Sequence, residues 1–237
     1  MGLLNKSNSP DNSDQSSVVQ HQELILPMVP LRDVVMFPHL EIVLSFGRPT
    51  SIKAVEHAFN SNKLIFFTSQ KNAGINNPQP DDLFSVGTVC QIERVLKTGE
   101  EVNALVKGLD RAKIVFANTE GDFPVSKVKI LNEIPADNEE TTALVKLITT
   151  NLKKLVNMGK PIDFLVFMKL MSGVSHGELS DQIASILDIP TIEKQKILEM
   201  VKVLPRLKSV SDLVTKELKI SEIEQSIASK TQKKFDK

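Results

Sequence analysis

Apolar residues fall in two different rhythms along this chain. From Glu23 to about Leu131 they come in short aliphatic and β-branched runs, the pattern of strands. "HLEIVLSF" follows a proline; "KLIFFTSQ" is a continuous apolar run, and the loop "NAGINNPQPDD" succeeds it. "VGTVCQIERVLKTGEEVNALVKGL" predicts a hairpin with arms "TVCQIERVLK" and "EVNALVKG", turning at "TGE", where Gly99 supplies a positive φ. Val86, Thr88, Cys90, Ile92, Arg94 and Leu96 share one face of its first arm. "RAKIVFA" and "FPVSKVKIL" predict two more strands, joined by "NTEGD". One helix interrupts the series, "PTSIKAVEHAFN", with Pro49 in its first turn and Ile52, Val55, Ala58 and Phe59 on its apolar face.

After Pro135 the period becomes helical. "DNEETTALVKLITTNLKKLVNM" starts with Asp137 three residues before Glu140, a capping-box spacing, and stops at Gly159 and Pro161. "DFLVFMKLM" is apolar nearly all round, which predicts burial on several sides. "SHGELSDQIASIL" and "EKQKILEMVKVL" are two amphipathic helices, and Pro205 is expected to break or kink the chain before the next. The stretch from Arg206 to about Phe235 contains neither Gly nor Pro. Leu213, Ile220, Ile223 and Ile227 recur there at seven, three and four residues, a narrow seam of the coiled-coil kind.

Between the tail and the first of these strands lies "LPMVPLRDVVMFPHL", residues 26–40, in which three prolines punctuate an apolar run. Proline cannot donate to a ladder, so Pro27, Pro30 and Pro38 fit edge positions, strand starts or bulges, and the segment reads as an interrupted edge that crosses from strand to strand. Asp33 is placed to fix a turn and to pair with Arg32 or another arginine; contact of the pair with a bound polypeptide is the other reading.

Composition narrows the function classes. With 29 basic and 29 acidic residues, the chain does not carry the field of a nucleic-acid binder. From Val201 onward nine basic residues face five acidic ones, a net of +4 that leaves −4 for residues 1–200. The basic end "SKTQKKFDK" has one aromatic and no arginine, so it lacks stacking platforms and bidentate donors. One cysteine permits no intrachain disulfide and suits a reducing compartment, and no apolar run nears the roughly 20 residues of a membrane span. Residues 1–22 are rich in Ser, Asn, Asp and Gln and read as a disordered tail. A cytoplasmic protein is expected.

Enzymatic constellations are missing. The sequence holds no phosphate-loop motif, no G-x-G-x-x-G, no H-E-x-x-H, no C-x-x-C and no G-x-S-x-G, so no catalytic and no metal site is expected. Cys90 lies mid-strand among Val and Ile and reads as an inert thiol. Ser175 precedes Glu178 by three residues, which makes Ser175–His176 a helix start rather than a nucleophile with its base. His39 has no second ligand at helical or hairpin spacing.

Three blocks, in order, carry a resemblance. "LPMVPLRDVVMFPHLEIVLSFGRPTSIKAVEHA" resembles the start of the Lon protease N-terminal domain through Leu26, Pro30, Leu31, Arg32, Asp33, Phe37, Pro38, Gly47, Arg48 and Ser51. "DDLFSVGTVCQIERVLKTGEEVNALVKGLDRAKI" and "IEKQKILEMVKVLPRLKSVSDLVTKELKISEIEQSI" resemble later blocks of the same family, although the chain lacks any Trp or Tyr. The resemblance implies an α+β fold: a PUA-like β-barrel or sheet domain with one helix over 23–133, a helical bundle over 134–204, and the start of a long coiled-coil-like linker helix over 205–237. It implies a substrate-recognition and assembly module of an ATP-dependent serine protease. The ATPase, with its ATP and Mg, and the Ser-Lys dyad of full Lon enzymes have no counterpart in this sequence. An excised fragment is expected over a truncated gene product. Expected partners are unfolded or degron-bearing polypeptides and further copies of the chain, a hexamer in the full enzyme. Candidate substrate contacts are Met28, Arg32, Asp33, Phe37, Pro38 and His39; candidates for oligomerisation are Leu213, Ile220, Ile223 and Ile227. A stand-alone LON-domain adaptor and a PUA-like RNA-binding module remain as alternatives.

Overall fold

The computed structural model describes residues 22–235. The tail expected before Glu23 lies outside them except for Gln22, as do the side chains of residues 228–235 in the basic end. Six strands and one helix form the first half: β1 (Glu23–Leu31), β2 (Glu41–Phe46), α1 (Pro49–Asn60), β3 (Leu64–Ser69), β4 (Val86–Thr98), β5 (Glu101–Asn118) and β6 (Val125–Ile130). The second half is helical: α2 (Glu139–Asn157), α3 (Phe164–Met171), α4 (His176–Ile186), α5 (Thr191–Glu199) and α6 (Val203–Phe235).

Strands β1, β3, β4, β5 and β6 close on themselves, because β6 pairs antiparallel with both β1 and β5. The ring is antiparallel except between β1 and β3. β5 is the long spine. One edge pairs with β4 over Glu101–Lys113; the other is shared, with β2 over Val102–Lys107 and β6 over Ala112–Asn118. "EVNALVKGL" and "RAKIVFA", predicted as separate strands, are thus one strand of 18 residues. Gly108 between them marks a close approach, not a turn: a Cβ there would lie 2.1 Å from the Phe37 carbonyl oxygen. Register shifts at Val89/Cys90, Ile92/Arg94 and Ile114/Phe116 add the local coiling that a small barrel needs to close. The predicted hairpin turn is present, with Gly99 at φ +64° and Thr98 paired to Glu101.

β1 gives the proline-rich segment its detail. It is an interrupted edge of a particular kind, inside the ring but with a strand on one side at a time: it pairs with β6 over Glu23–Pro27 and then with β3 over Met28–Leu31. Pro27 stands where one partner gives way to the other. The Met28 N–H donates to the Pro124 carbonyl (2.8 Å), and Pro30, two residues on, turns its nitrogen to the same side, past the end of β6. The donor missing at Pro30 therefore faces an unpaired side of the strand.

Two apolar clusters fill the barrel. Val29, Phe46, Ile65, Phe67, Ile92 and Val106 pack under Ala54, Val55 and Ala58 of α1, while Leu26, Met28, Phe66, Val89 and Val128 fill the other part. The helical half has its own core, into which Val35, Phe37 and Val86 project from the barrel side. Around that contact lies a polar seam. Gln182 donates to the His39 carbonyl (2.7 Å), Gln195 to that of Val86 (2.9 Å) and Arg111 Nε to that of Leu198 (2.9 Å).

The helices depart from expectation in four places. α2 is capped by Asn138 with Thr141, one residue later than the Asp137–Glu140 spacing suggested; it ends before Gly159, whose φ is +86°. α3 is not buried on several sides: Leu170 is buried, whereas Phe164 and Met168 stand in solvent. "EKQKILEMVKVL" is not one helix. α5 stops at Glu199, and the extended link after it hydrogen-bonds Ile134 through Val201 and Val203. Pro205 is inside the first turn of α6, where a missing N–H costs nothing. α6 is also no free linker at its start: Leu207, Val210, Val214 and Leu218 are buried in the bundle core.

Candidate functional site

The two connections that follow β1 and β2 meet at the head of α1. After Leu31, Arg32 leads into Asp33, which adopts φ +51°, a left-handed conformation that Asp tolerates better than most residues. Arg32 Nη2 donates to Asn76 Oδ1 (2.7 Å) rather than to its neighbour. After Phe46, Gly47 and Arg48 lead into Pro49, the first residue of α1. Arg48 occupies the cap position without a side-chain capping bond, and its guanidinium donates to Gln70 Oε1 (2.6 Å).

A hollow of about 340 Å³ opens there, lined by Pro30, Leu31 and Arg32 on one side and Leu44, Ser45 and Phe46 on the other, with Val34, Gly47, Arg48 and Ser51 closing it. Consecutive residues of a strand point to opposite faces, so a hollow that touches three in a row meets the strand at its edge. β2 has β5 on one edge and no strand on the other among the described residues. β1 gives its Met28–Leu31 edge to β3 and leaves the opposite one open. The hollow is thus the gap between two unpaired strand ends. A second hollow, lined by Thr50, Asn76, Asn77 and Pro124, adjoins it and shares Pro30, Arg48 and Ser51. Burial lowers the Arg48 pKa, and the nearby Arg32 charge lowers it further.

The six candidate contacts scatter. Met28, Phe37 and Pro38 are buried, Phe37 within the bundle core. His39 is exposed at φ +62°, its carbonyl bonded to Gln182. Arg32 and Asp33 are exposed, and of the six only Arg32 lines the hollow. Arg48 and Ser51 stood among the residues that carry the resemblance but not among the candidate contacts. The signal was present: a helix opening Gly-Arg-Pro-Thr-Ser offers no Ser, Thr, Asp or Asn at its cap position. Of the oligomerisation candidates, Leu213 packs partly against the bundle, while Ile220, Ile223 and Ile227 are 40, 59 and 60 % exposed as α6 runs past it.

The other chemical candidates are structural. Cys90 is buried, and burial pushes its thiol well above the ordinary range. The Ser175 hydroxyl accepts from the Glu178 N–H (3.1 Å) as a cap. Among the described residues no group of His, Cys, Asp and Glu is placed to hold a metal ion, and no helix is long and apolar enough to cross a membrane.

Comparison with known proteins accounts for this architecture. The Lon protease of Trichlorobacter lovleyi is 32 % identical over 240 residues, covering 99 % of this chain and 29 % of that protein. The Lon protease of Aquifex aeolicus is 35 % identical over 218 residues, covering 89 % and 27 %. The chain thus spans less than a third of these relatives. The N-terminal domain of Mycobacterium avium complex Lon protease shares the fold at a TM-score of 0.66 and 19 % identity, over 81 % of this chain and 98 % of that one. A Lon N-terminal domain protein from Xanthomonas campestris does so at 0.57 and 14 %, over 79 % and 96 %. The profile of the ATP-dependent protease La (LON) substrate-binding domain matches residues 25–216, and the chain belongs to that family.

Proposed function

We propose that this chain is the polypeptide-recognition and assembly module of a cytoplasmic, ATP-dependent Lon serine protease that degrades misfolded and short-lived regulatory proteins. Catalysis, with ATP and Mg, belongs to the remainder of the parent enzyme. The observation that carries the reading is the open edge of β2 beside an apolar hollow: an extended segment can pair its backbone with the edge and lay side chains into the hollow. A folded protein has its strands already paired, which is the physical basis for selecting unfolded ones. One module offers only part of a multivalent grip, so chemically unfolded protein is expected to bind at about micromolar affinity or weaker, without competition from its native form. A titration followed by fluorescence anisotropy checks this. Absence of binding even at millimolar concentration would overturn it.

Assembly falls to α6. Ile220, Ile223 and Ile227 continue the seam whose first member, Leu213, the bundle partly covers, and their exposed apolar stripe offers a contact for a second copy. In the full enzyme this seam contributes to a hexamer. For the chain alone, weak, concentration-dependent self-association is expected, since each fully buried side chain contributes about 1.5–3 kcal/mol before ordering costs. Changing Ile220 and Ile223 together to Lys should abolish it in sedimentation velocity over a hundredfold range of concentration. A strictly monomeric parent chain, or association untouched by the double change, would remove α6 as the contact.

A further inference from the structure

Four features converge on the hollow at the head of α1, and an extended peptide backbone alone uses none of them. Arg32 and Arg48 both line it. The acids at its rim, Asp33 and Glu101, ion-pair with neither guanidinium, so two positive charges share the space without a carboxylate among the described residues. The first turn of α1 is uncapped: Pro49 has no N–H, the first intrahelical donor is Ile52 to the Arg48 carbonyl (3.0 Å), and the Thr50 and Ser51 N–H groups have no backbone acceptor. Ser51 supplies the independent sign of a ligand. It is only 5 % exposed, lines both hollows, and its hydroxyl has no hydrogen-bond partner. The hydroxyl oxygen is not sealed off from the hollow, so it is free to donate to an acceptor that enters there.

We infer that this is a carboxylate site, and that its occupant is the free C-terminus of the polypeptide whose last residues lie along β2. This rests on the reading of the chain as a polypeptide-binding module and names the end that it grips. A carboxylate has two oxygens and about four lone-pair positions, so it can engage four of the five donor groups at once: both guanidiniums, the Ser51 hydroxyl and one of the two N–H groups. Its negative charge suits both the arginines and the positive end of α1. The main-chain carboxylate fits better than an acidic side chain because the site lies at the end of the strand edge, just past Phe46, where a peptide running parallel to β2 would stop. The apolar wall beside it, Leu31, Val34, Leu44 and Phe46, takes the side chain of the last residue, which is therefore apolar. On the β1 side, the donor missing at Pro30 prevents that edge from completing a ladder of its own and keeps the gap open.

The test compares two forms of one short peptide, polar in its body and ending in two leucines: one with a free carboxylate and one amidated. Charge-assisted hydrogen bonds predict that amidation weakens binding about ten- to hundredfold. Arg48→Gln and, separately, the exposed Arg32→Gln should weaken the acid and leave the amide unchanged, so that the two forms converge. Ser51→Ala should narrow the gap. A third peptide, amidated but with an internal glutamate, should bind no better than the plain amide. Equal binding of acid and amide, or full rescue by the internal glutamate, overturns the C-terminal assignment even if unfolded proteins still bind. Failure of acid, amide and unfolded protein alike overturns this inference and the proposed function together.

Discussion

Asp181→Leu is expected to destabilise the chain by about 3–5 kcal/mol, the effect of leaving buried cations without their counter-ion. Asp181 on α4 is fully buried and ion-pairs with Arg111 of β5, also buried; Arg206 of α6, fully buried, approaches the same oxygen at 3.5 Å. Glu133, in the link between β6 and α2, completes the group against Arg206 and, at 3.9 Å, Arg111. Two positive and two negative charges balance, and they come from both halves of the molecule. Burial pushes the Asp181 carboxyl up and the Arg111 guanidinium down, against the attraction between them; on both sides desolvation is the larger influence. The network therefore holds the halves in register more than it adds net stability. Loss of one member should be severe, and loss of a matched pair should not. In urea the midpoint of Asp181→Leu should fall by about 2 M. Adding Arg111→Met should recover a substantial part, a coupling of about 1–3 kcal/mol in the double-mutant cycle. An unchanged midpoint for the single change, or strict additivity in the pair, would show that the network does not join the halves.

These four charges show where sequence reading stops. Arg111 and Arg206 stood inside the blocks that revealed the family, yet their acidic partners lie 70 and 73 residues away, and no local period relates them. The elements themselves were largely legible because each repeats a local rule. α1 begins at Pro49 and ends at Asn60 as its apolar spacing required, the α4 cap is Ser175, and Gly99 turns the hairpin. The misreadings share a cause, which is tertiary. Gly108 looked like punctuation because its reason, the Phe37 carbonyl, is 71 positions away. α3 looked like a core helix because composition does not reveal which faces find neighbours. The seam on α6 was read with one period, whereas the helix buries a different face, Leu207, Val210, Val214 and Leu218, before its seam emerges. The candidate site followed the same pattern. Arg32 could be found from its motif, but the pairing of its loop with the head of α1 required the closed barrel.

The second large effect belongs to Phe37. The turn that presents it is held along its length: Ser69 donates to the Val34 carbonyl (2.6 Å), Thr88 to that of Met36 (2.5 Å), and the His39 N–H to that of Gly108 (3.0 Å). Its own carbonyl lies against Gly108, where no side chain intervenes. So fixed, the ring leaves the barrel and enters the bundle core beside Val35 and Val86, with Leu179, Ile183 and Leu198 among the helical members. A fixed turn cannot collapse into the space that a deleted ring leaves. Phe37→Ala is therefore expected at the costly end of aromatic truncations, about 3–5 kcal/mol. Phe37→Leu, which keeps most of the apolar volume, should lose clearly less. The two halves should also separate more readily. Limited proteolysis should open the link around 131–138 in Phe37→Ala faster than in Phe37→Leu at equal global stability, set by adding urea to the leucine variant. Denaturation of Phe37→Ala within about 0.5 kcal/mol of the parent, or identical cleavage of that link in both variants, would mean that the ring fills space without pinning the barrel to the helices.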